Sequence, residues 1–506
     1  MENRERVIEV LGRWLLKQIQ DKRKETLQDA LQLFQQSSDF VMHDLSIASK
    51  GFHIAYFQTL IDTDRLNKDI LPFITESESQ TLEEIVRNIP IQAKEIIKSP
   101  NDLREKVMQG FIVIFEGGNQ SKCAVVEVAL DSGREVAPSE NEFTVNGPQE
   151  SFIESIDTNI NLIRKRLPLP QLKIKEMKLG KMTQTRVSLL YIEGIVDKEN
   201  LKTLEQRLSD IEFDQVIDSN SLAQMISDNQ MSVFPQMINT QRPERVAAAI
   251  AEGKVAFLAD GSPEAIFGPT TLVEFFSSLE DYYMSWHISS SVRLLRFFAV
   301  AFSVFATPVY VAVLTFHYEL IPRDLLSTII ASRSNIPFPP IIEAIFLELT
   351  IELLREAGAR LPTKVGQTIG IVGGIVIGQA SVEAGLTSNI LLIIVALAAL
   401  ASFTTPVYQM GNTIRLIRFP ILIAAAFTGG VGIAFFALVT IAHLLQLKSL
   451  GRPYFEPIFP PRFTDWKDAF VRLPFNWMST RPVYLRPRDK GRFNFSRASK
   501  KHDIDE

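Results

Sequence analysis

The chain has 506 residues, 46% of them hydrophobic and 22% charged, with a formal net charge of -5. That balance excludes a basic track for nucleic acid, which needs lysine and arginine gathered on one segment, and the single cysteine, Cys123, excludes an internal disulfide and a cysteine metal cluster. A mean hydropathy of +0.09 over so long a chain averages a polar half with an apolar one.

Residues 1–36 read as a helical lead-in. Its start, MENRERVIEVLGRWLLKQ, is amphipathic and charged and lacks the unbroken apolar core of a secretory signal, so the region that follows is expected to stay in the cytoplasm. Residues 37–148 are expected to form a first soluble subdomain. DFVMHDLSIASKGFHIAYFQTLID alternates apolar and polar residues as half-buried strands do, helical patterns follow through Ile97, and GFIVIFEG and KCAVVEVAL flank a Gly117-Gly118-Asn119 turn as a hairpin would. Cys123, in the second of these strands, reads as a buried structural thiol. Residues 149–286 are expected to form a second subdomain, with helices ESFIESIDTNINLIRKRL, ENLKTLEQRLSDI and SLAQMISD (capped by Ser221) and strands VSLLYIEGIV, KVAFLAD and EAIFG. A last helix, Thr271 to Tyr283, would lead toward a membrane and pass a partner's signal to the spans through the joint at Trp286 to Arg296, the alternative being that Ser285, Ser289, Ser290 and Ser291 make this joint a slack tether.

Residues 287–450 then read as a membrane domain, with spans at about 297–316, 368–384, 390–407 and 421–445, each an apolar run near the length a bilayer requires. The fold class expected is an α/β cytoplasmic region of two subdomains followed by an all-α polytopic membrane domain. Arginines 293, 296, 415 and 418 beside the spans compete with a basic tail, 451–506, in the positive-inside count, so the number of crossings stays open. The tail, with PYFEPIFPPRF and FNW, reads as an interfacial strap followed by disorder after Pro487.

No catalytic constellation emerges, since no two of the six histidines stand at a metal-binding spacing, and neither an enzyme activity nor a cofactor is expected. The run TIGIVGGIVIGQASVEA is the functional candidate. A helix there would align Thr368, Val372, Val376, Gln379 and Glu383 as a pore stripe, with the valines as an apolar constriction and the polar pair as rings favouring cations. Gly370, Gly374 and Gly378 would pack a neighbouring face. The plainer alternative is that these glycines pack the bundle, with Gln379 bonded inside it and Glu383 reaching the surface. Pro339 to Arg360 is amphipathic, with Glu348, Glu352 and Glu356 on one flank, and would lie at the membrane interface or line a vestibule.

The blocks NGPQESFIESIDTNINLIRKRL, YIEGIVDKENL, FPQMINTQRPERVAAAIAEGKVAFLADGSP, SSLEDYY, IPFPPIIEAIFLELTIELLREAGARLP and VGQTIGIVGGIVIGQASVEAGLTS, in this order, resemble the A subunit of the GerA family of spore germinant receptors. The resemblance runs from about Asp39 to Pro487. Asn146 and Asn220 depart from it, standing where members often carry Arg and Gly. It implies a subunit of the spore inner membrane that works with a membrane-embedded B subunit and a lipoprotein C subunit and assembles into a ring-shaped homo-oligomer, a pentamer, acting as a ligand-gated channel that releases cations. A paralogue that amplifies the ion release, a membrane-anchored scaffold and a transporter component are the alternatives; a transporter should show two matched halves, and none is found.

Overall fold

A computed structural model describes residues 26–47, 50–75, 81–117, 119–130, 142, 146–360 and 373–493. Helix α1 (Leu27–Gln35) opens with a reciprocal cap between Thr26 and Asp29 and buries Leu27, Ala30, Leu31 and Phe34. It precedes strands β1 (Phe40–Ile47) and β2 (Lys50–Phe57), helix α2 (Leu82–Asn88), β3 (Lys94–Ile97), α3 (Pro100–Met108), β4 (Phe111–Glu116) and β5 (Asn119–Glu127). The strands pair antiparallel in the order β1-β2-β4-β5-β3. Successive side chains on a strand face opposite ways, so the sheet carries two cores. Ala55, Phe57, Val113, Phe115, Cys123 and Val125 pack under α1 and α3. Ile54, Tyr56, Ile112, Ile114, Ala124 and Val126 pack under α2. Burial pushes the Cys123 thiol up to about 12, which leaves it protonated and unreactive.

The second unit repeats this plan. Helix α4 (Ile156–Arg166) precedes β6 (Leu172–Leu179), β7 (Thr185–Ile192), α5 (Lys198–Ser209), α6 (Ser219–Met225), β8 (Ile238–Thr240), α7 (Pro243–Glu252), β9 (Val255–Ala259) and β10 (Ala265–Gly268). The order β6-β7-β9-β10-β8 is that of the first sheet with each strand advanced by five places, again antiparallel throughout. Pro100 and Pro243 occupy the same place in the two plans, the first turn of α3 and of α7, where a missing N–H costs nothing. The alternation of strands and helices leaves the strand direction open, and hairpin pairing is what fixes it here.

The units are welded by Arg164. Its guanidinium donates to both oxygens of Asp39 at 2.6 and 2.7 Å and stacks on Phe57, with the ion pair almost wholly removed from water. Two expectations change at this level. Asp218 and not Ser221 caps α6, accepting the Ser221 N–H at 2.9 Å, because the aspartate lies one turn earlier in the geometry a cap needs. The helix expected over Thr271 to Tyr283 is two 3-10 turns, Leu272–Phe276 and Leu279–Tyr282. Thr271 with Glu274, and Ser278 with Asp281, form successive capping boxes, and each box starts a turn of its own.

Among the described residues the helices α8 (Trp286–Phe316), α9 (Arg323–Arg333), α10 (Pro340–Arg360), α11 (Gly378–Glu383), α12 (Asn389–Ser402), α13 (Tyr408–Thr428) and α14 (Gly430–Gln446) follow. Strands β11 (Lys448–Ser449) and β12 (Arg452–Pro453) lead into a tail that packs back on the second unit. The run 421–445, expected to cross once, is divided at Gly429. Its φ of +62° is a conformation open to glycine, and an added Cβ would meet His317 and Phe316 at 3.0 Å. The feet of α13 and α14 share a core with the second sheet, where Met410, Ile414, Leu444 and Leu447 join Ile238, Ala265 and Phe267.

Candidate functional site: the helix bundle and its joint to the sheets

The joint begins with Asp281, whose side chain has no exposed surface. Arg293 Nε donates to its Oδ2 at 3.3 Å, and Arg296 donates to Oδ2 at 3.2 Å and Oδ1 at 3.3 Å. Arg293 also reaches Ser277 Oγ at 3.0 Å and Asp468 of the tail, and Arg296 reaches the Phe276 carbonyl. The Tyr282 hydroxyl donates to Asp468 at 2.7 Å, Ser290 donates to the Arg472 carbonyl at 3.0 Å, and Arg472 donates to the Met284 carbonyl at 2.6 Å. Three segments, the 3-10 turns, the base of α8 and the tail, thus close around one buried carboxylate. The serines expected to form a slack tether are part of this knot: Ser289 and Ser290 are buried within α8, which runs as a helix from Trp286.

Beside the joint a cavity of about 620 Å³ lies between α7, the 3-10 turns and the tail, lined by Glu252, Lys254, Tyr282, Trp477 and Tyr484 among others. Several of its charges are matched within the wall. Glu252 accepts from Arg492 at 2.7 Å, and Glu274 accepts from both Lys254 and the Tyr484 hydroxyl. Burial, then the repulsion of Asp468, holds the Tyr282 hydroxyl protonated well above its ordinary range, and burial raises the Glu252 carboxyl as well. The tail from Lys448 to Phe493 is ordered against the second unit, with Tyr454 fully buried and Arg452 bonded to Asp197 and Asn200, which extends past the expected onset of disorder at Pro487.

Within the bundle, α10 carries the polar side chains. The Glu343 carboxylate accepts from Arg333 at 2.8 Å and from the Ser388 N–H at 3.2 Å. Near the middle, Glu348 pairs with Arg418 of α13 at 2.5 Å, their side chains only 2% and 3% exposed. Thr307 of α8 donates to Glu348 at 2.9 Å, and Arg418 donates to Ser303 of α8 at 2.7 Å. Two helix-breaking prolines flank this group, Pro308 one residue after Thr307 and Pro420 two residues after Arg418. Glu352 then meets Arg355 and stands 3.8 Å from Arg415.

The expected interface helix is therefore threaded through the bundle. Its carboxylates become progressively more exposed from Glu348 through Glu352 to Glu356, which pairs with Arg360. Of the expected pore stripe, Thr368 and Val372, with Gly370, lie outside the described residues. Val376 is exposed on a π-helical segment, Gly373–Ile377, that runs into α11. Gln379 donates to Glu383 at 2.8 Å, and both face outward. A Cβ added at Gly378 would meet Leu392 of α12 at 3.6 Å, whereas one added at Gly374 would meet nothing within 4 Å among the described residues. Sequence reading missed Arg418 as the partner of Glu348, although an arginine inside an otherwise apolar run is itself a signal. It also missed Asn220, which accepts from Gln409 at the foot of α13 and so ties α6 to the bundle.

α8 and α13 are long and apolar enough to cross a membrane, and α12 and α14 are shorter apolar helices. The described helices thus stand on two five-stranded sheets of the same strand order, and two of them are long enough to span a bilayer. The family model described as Bacillus/Clostridium GerA spore germination protein matches residues 28–484, and the chain belongs to that family. Spore germination protein GerQA of Bacillus cereus is 50% identical over 94% of this chain and 95% of its own length. Spore germination protein KA of Bacillus subtilis (strain 168) is 37% identical over 90% of this chain and 85% of its own. The crystal structure of the N-terminal domain of the A subunit of the Bacillus megaterium spore germinant receptor GerK3 matches 48% of this chain and 92% of that one, at 26% identity and a TM-score of 0.38. The fold described above rests on this chain's own strand pairing.

Removing one partner of a buried ion pair strands the other charge, at a cost of about 3–5 kcal/mol. Glu348→Gln is expected to lower the thermal unfolding temperature of the detergent-purified protein, and Glu348→Leu with Arg418→Met to recover most of the loss. An unfolding temperature unchanged in Glu348→Gln would show that the pair does not hold the bundle.

Proposed function

We propose that this chain is the A subunit of a nutrient germinant receptor in the spore inner membrane, acting with a membrane B subunit and a lipoprotein C subunit. Copies of it form a ring, a pentamer, that opens as a cation channel when the receptor is engaged. The observation that carries the channel reading is the outward face of the segment 373–383. Among the described residues, Val376, Gln379 and Glu383 are exposed, and a Cβ added at Gly374 would meet nothing within 4 Å, which leaves a backbone that a neighbour can approach closely. A polar pair that faces neither the bundle nor a basic partner suits a water-filled axis, because a carboxylate in lipid costs about 3 kcal/mol.

The path of the described helices supports placing the sheets and the tail on one side of the membrane, which this reading takes as the cytoplasmic side. α8 leaves the sheets and ends at His317, against Gly430. α10 returns from the level of Ser388 to that of Arg415, and the chain regains the far end where Gly385 lies against Asn335. α12 comes back, α13 goes out, and α14 returns to place His443 on Ser232 at 2.8 Å. The tail lies on the sheet side with the foot of α14, which supports a reading with an even number of crossings. α12, with 14 residues or about 21 Å of helix, needs its flanking turns to cover about 30 Å of hydrocarbon.

Val376→Ala is expected to widen the apolar constriction, so that spores leak cations and germinate without nutrient. Ordinary germination rates with and without nutrient would remove Val376 from the gate. The joint is expected to transmit the signal as a stiff element. A Gly-Ser pair inserted after Ser290 turns the rest of α8 by about 200° and carries Arg293 and Arg296 away from Asp281. Spores with the insertion should hold the protein at normal level and lose the nutrient response, and a normal response would show that the signal bypasses the joint.

A further inference from the structure

We propose that the tail segment 457–478 is a second membrane contact, an aromatic belt that rests on the bilayer surface beside the base of α8. The inference rests on the membrane placement of the bundle argued above. Phe459, Phe463, Trp466, Phe475 and Trp477 are between 41% and 70% exposed. They are not exposed because the segment is loose. Its inner side is fixed by Asp468 on Arg293, by Arg472 on the Met284 carbonyl and by Phe470, whose ring stands 5.5 Å from that of Phe297. The exposed aromatics therefore stand on a rigid support and contribute little to folding.

What covers them follows from position and chemistry. The strap meets α8 at Arg293 and Phe297, where the arginine pair gives way to the uncharged run of the helix. A span passes from headgroups to hydrocarbon at such a boundary, and tryptophan concentrates there because its ring is apolar and its N–H is polar. Leu294 and Leu295 of α8, between the two arginines, and Phe298, at the start of the uncharged run, are also exposed at this boundary. Rings in contact, Phe463 to Trp466 at 5.1 Å, Trp466 to Phe470 at 5.6 Å and Phe470 to Phe297, lead without a gap from helix to strap. Lys467 is exposed on the same segment, a cation of the kind that anionic headgroups attract. The bilayer interface is the occupant these features fit.

Tryptophan emission tests the contact directly, because Trp14, Trp286, Trp466 and Trp477 are the full complement. The full chain carrying Trp14→Phe and Trp286→Phe is placed in liposomes whose lipids bear bromine either near the headgroup or near the chain ends. Shallow bromine should quench the remaining emission more than deep bromine does. A chain with all four tryptophans changed to Phe, and Phe435→Trp on the exposed face of α14, serves as the second probe and should be quenched by deep bromine. If the α14 probe is quenched and the strap emission is untouched, the belt is wrong while the membrane placement stands. If neither is quenched, the membrane placement itself fails. Loss of strap quenching when the B subunit is incorporated alongside would mean that a protein covers these rings, and would also overturn the proposal.

Discussion

A carboxylate with no exposed surface stays charged only if cations come to it, and Asp281 brings two guanidinium groups from one helix. Arg293 and Arg296 lie three residues apart, nearly one turn, so both reach the same acid only when α8 presents one particular face to the sheets. That requirement fixes the azimuth of the helix, hence which side of it carries Ser303 and Thr307, and hence where Glu348 and Arg418 can meet. Asp468 adds the tail to the same centre. The sheets, the helices and the strap are thereby held as one body at the level where lipid would begin.

The same physics recurs at intervals through the molecule. Arg164 and Asp39 weld the two sheet units, and Arg418 and Glu348 bind α13 to α10, each pair nearly dry and each relieved by hydroxyls beside it. Ion pairs of this kind add little net stability over a well-packed apolar core, but they penalise any arrangement that separates them. They specify geometry. Against this framework the segment 373–383 differs in kind: among the described residues it begins as a π-turn, a Cβ added at Gly374 would meet nothing within 4 Å, and Gln379 donates to Glu383 on its exposed side. A channel subunit needs such a division, with rigid parts that carry displacement and one face free to respond.

Much of this was legible in the sequence, and the physical reason differs from element to element. The hairpin of β4 and β5 and the buried thiol of Cys123 followed from alternation, a local property. The two-unit organisation was legible too, but not that both sheets share one strand order, because pairing is non-local and no sequence repeat announces it. Ser285 and the serines 289–291 looked flexible by composition, yet the last three lie in the first turns of α8, which Arg293 and Arg296 tie to an acid supplied by a different turn. The amphipathic reading of α10 found the right residues and the wrong surroundings. Glu348 looked solvated because its partner stands 70 residues away on another helix. The candidate gate stays a pattern, since two of the five residues of its stripe, Thr368 and Val372, lie outside the described residues.

Rigid union of sheets and bundle through Asp281 is the claim on which the rest depends, and a distance measurement tests it most directly. Cys123 is buried and protonated, so spin labels can be attached to new cysteines at exposed sites, Ser209→Cys on α5 and Leu438→Cys on α14, with the native thiol left in place. Pulsed electron–electron resonance on the full chain should give one narrow distance distribution, and Asp281→Ala should broaden it. A broad distribution with Asp281 intact would show that the sheets and the helices move independently, and would contradict the account.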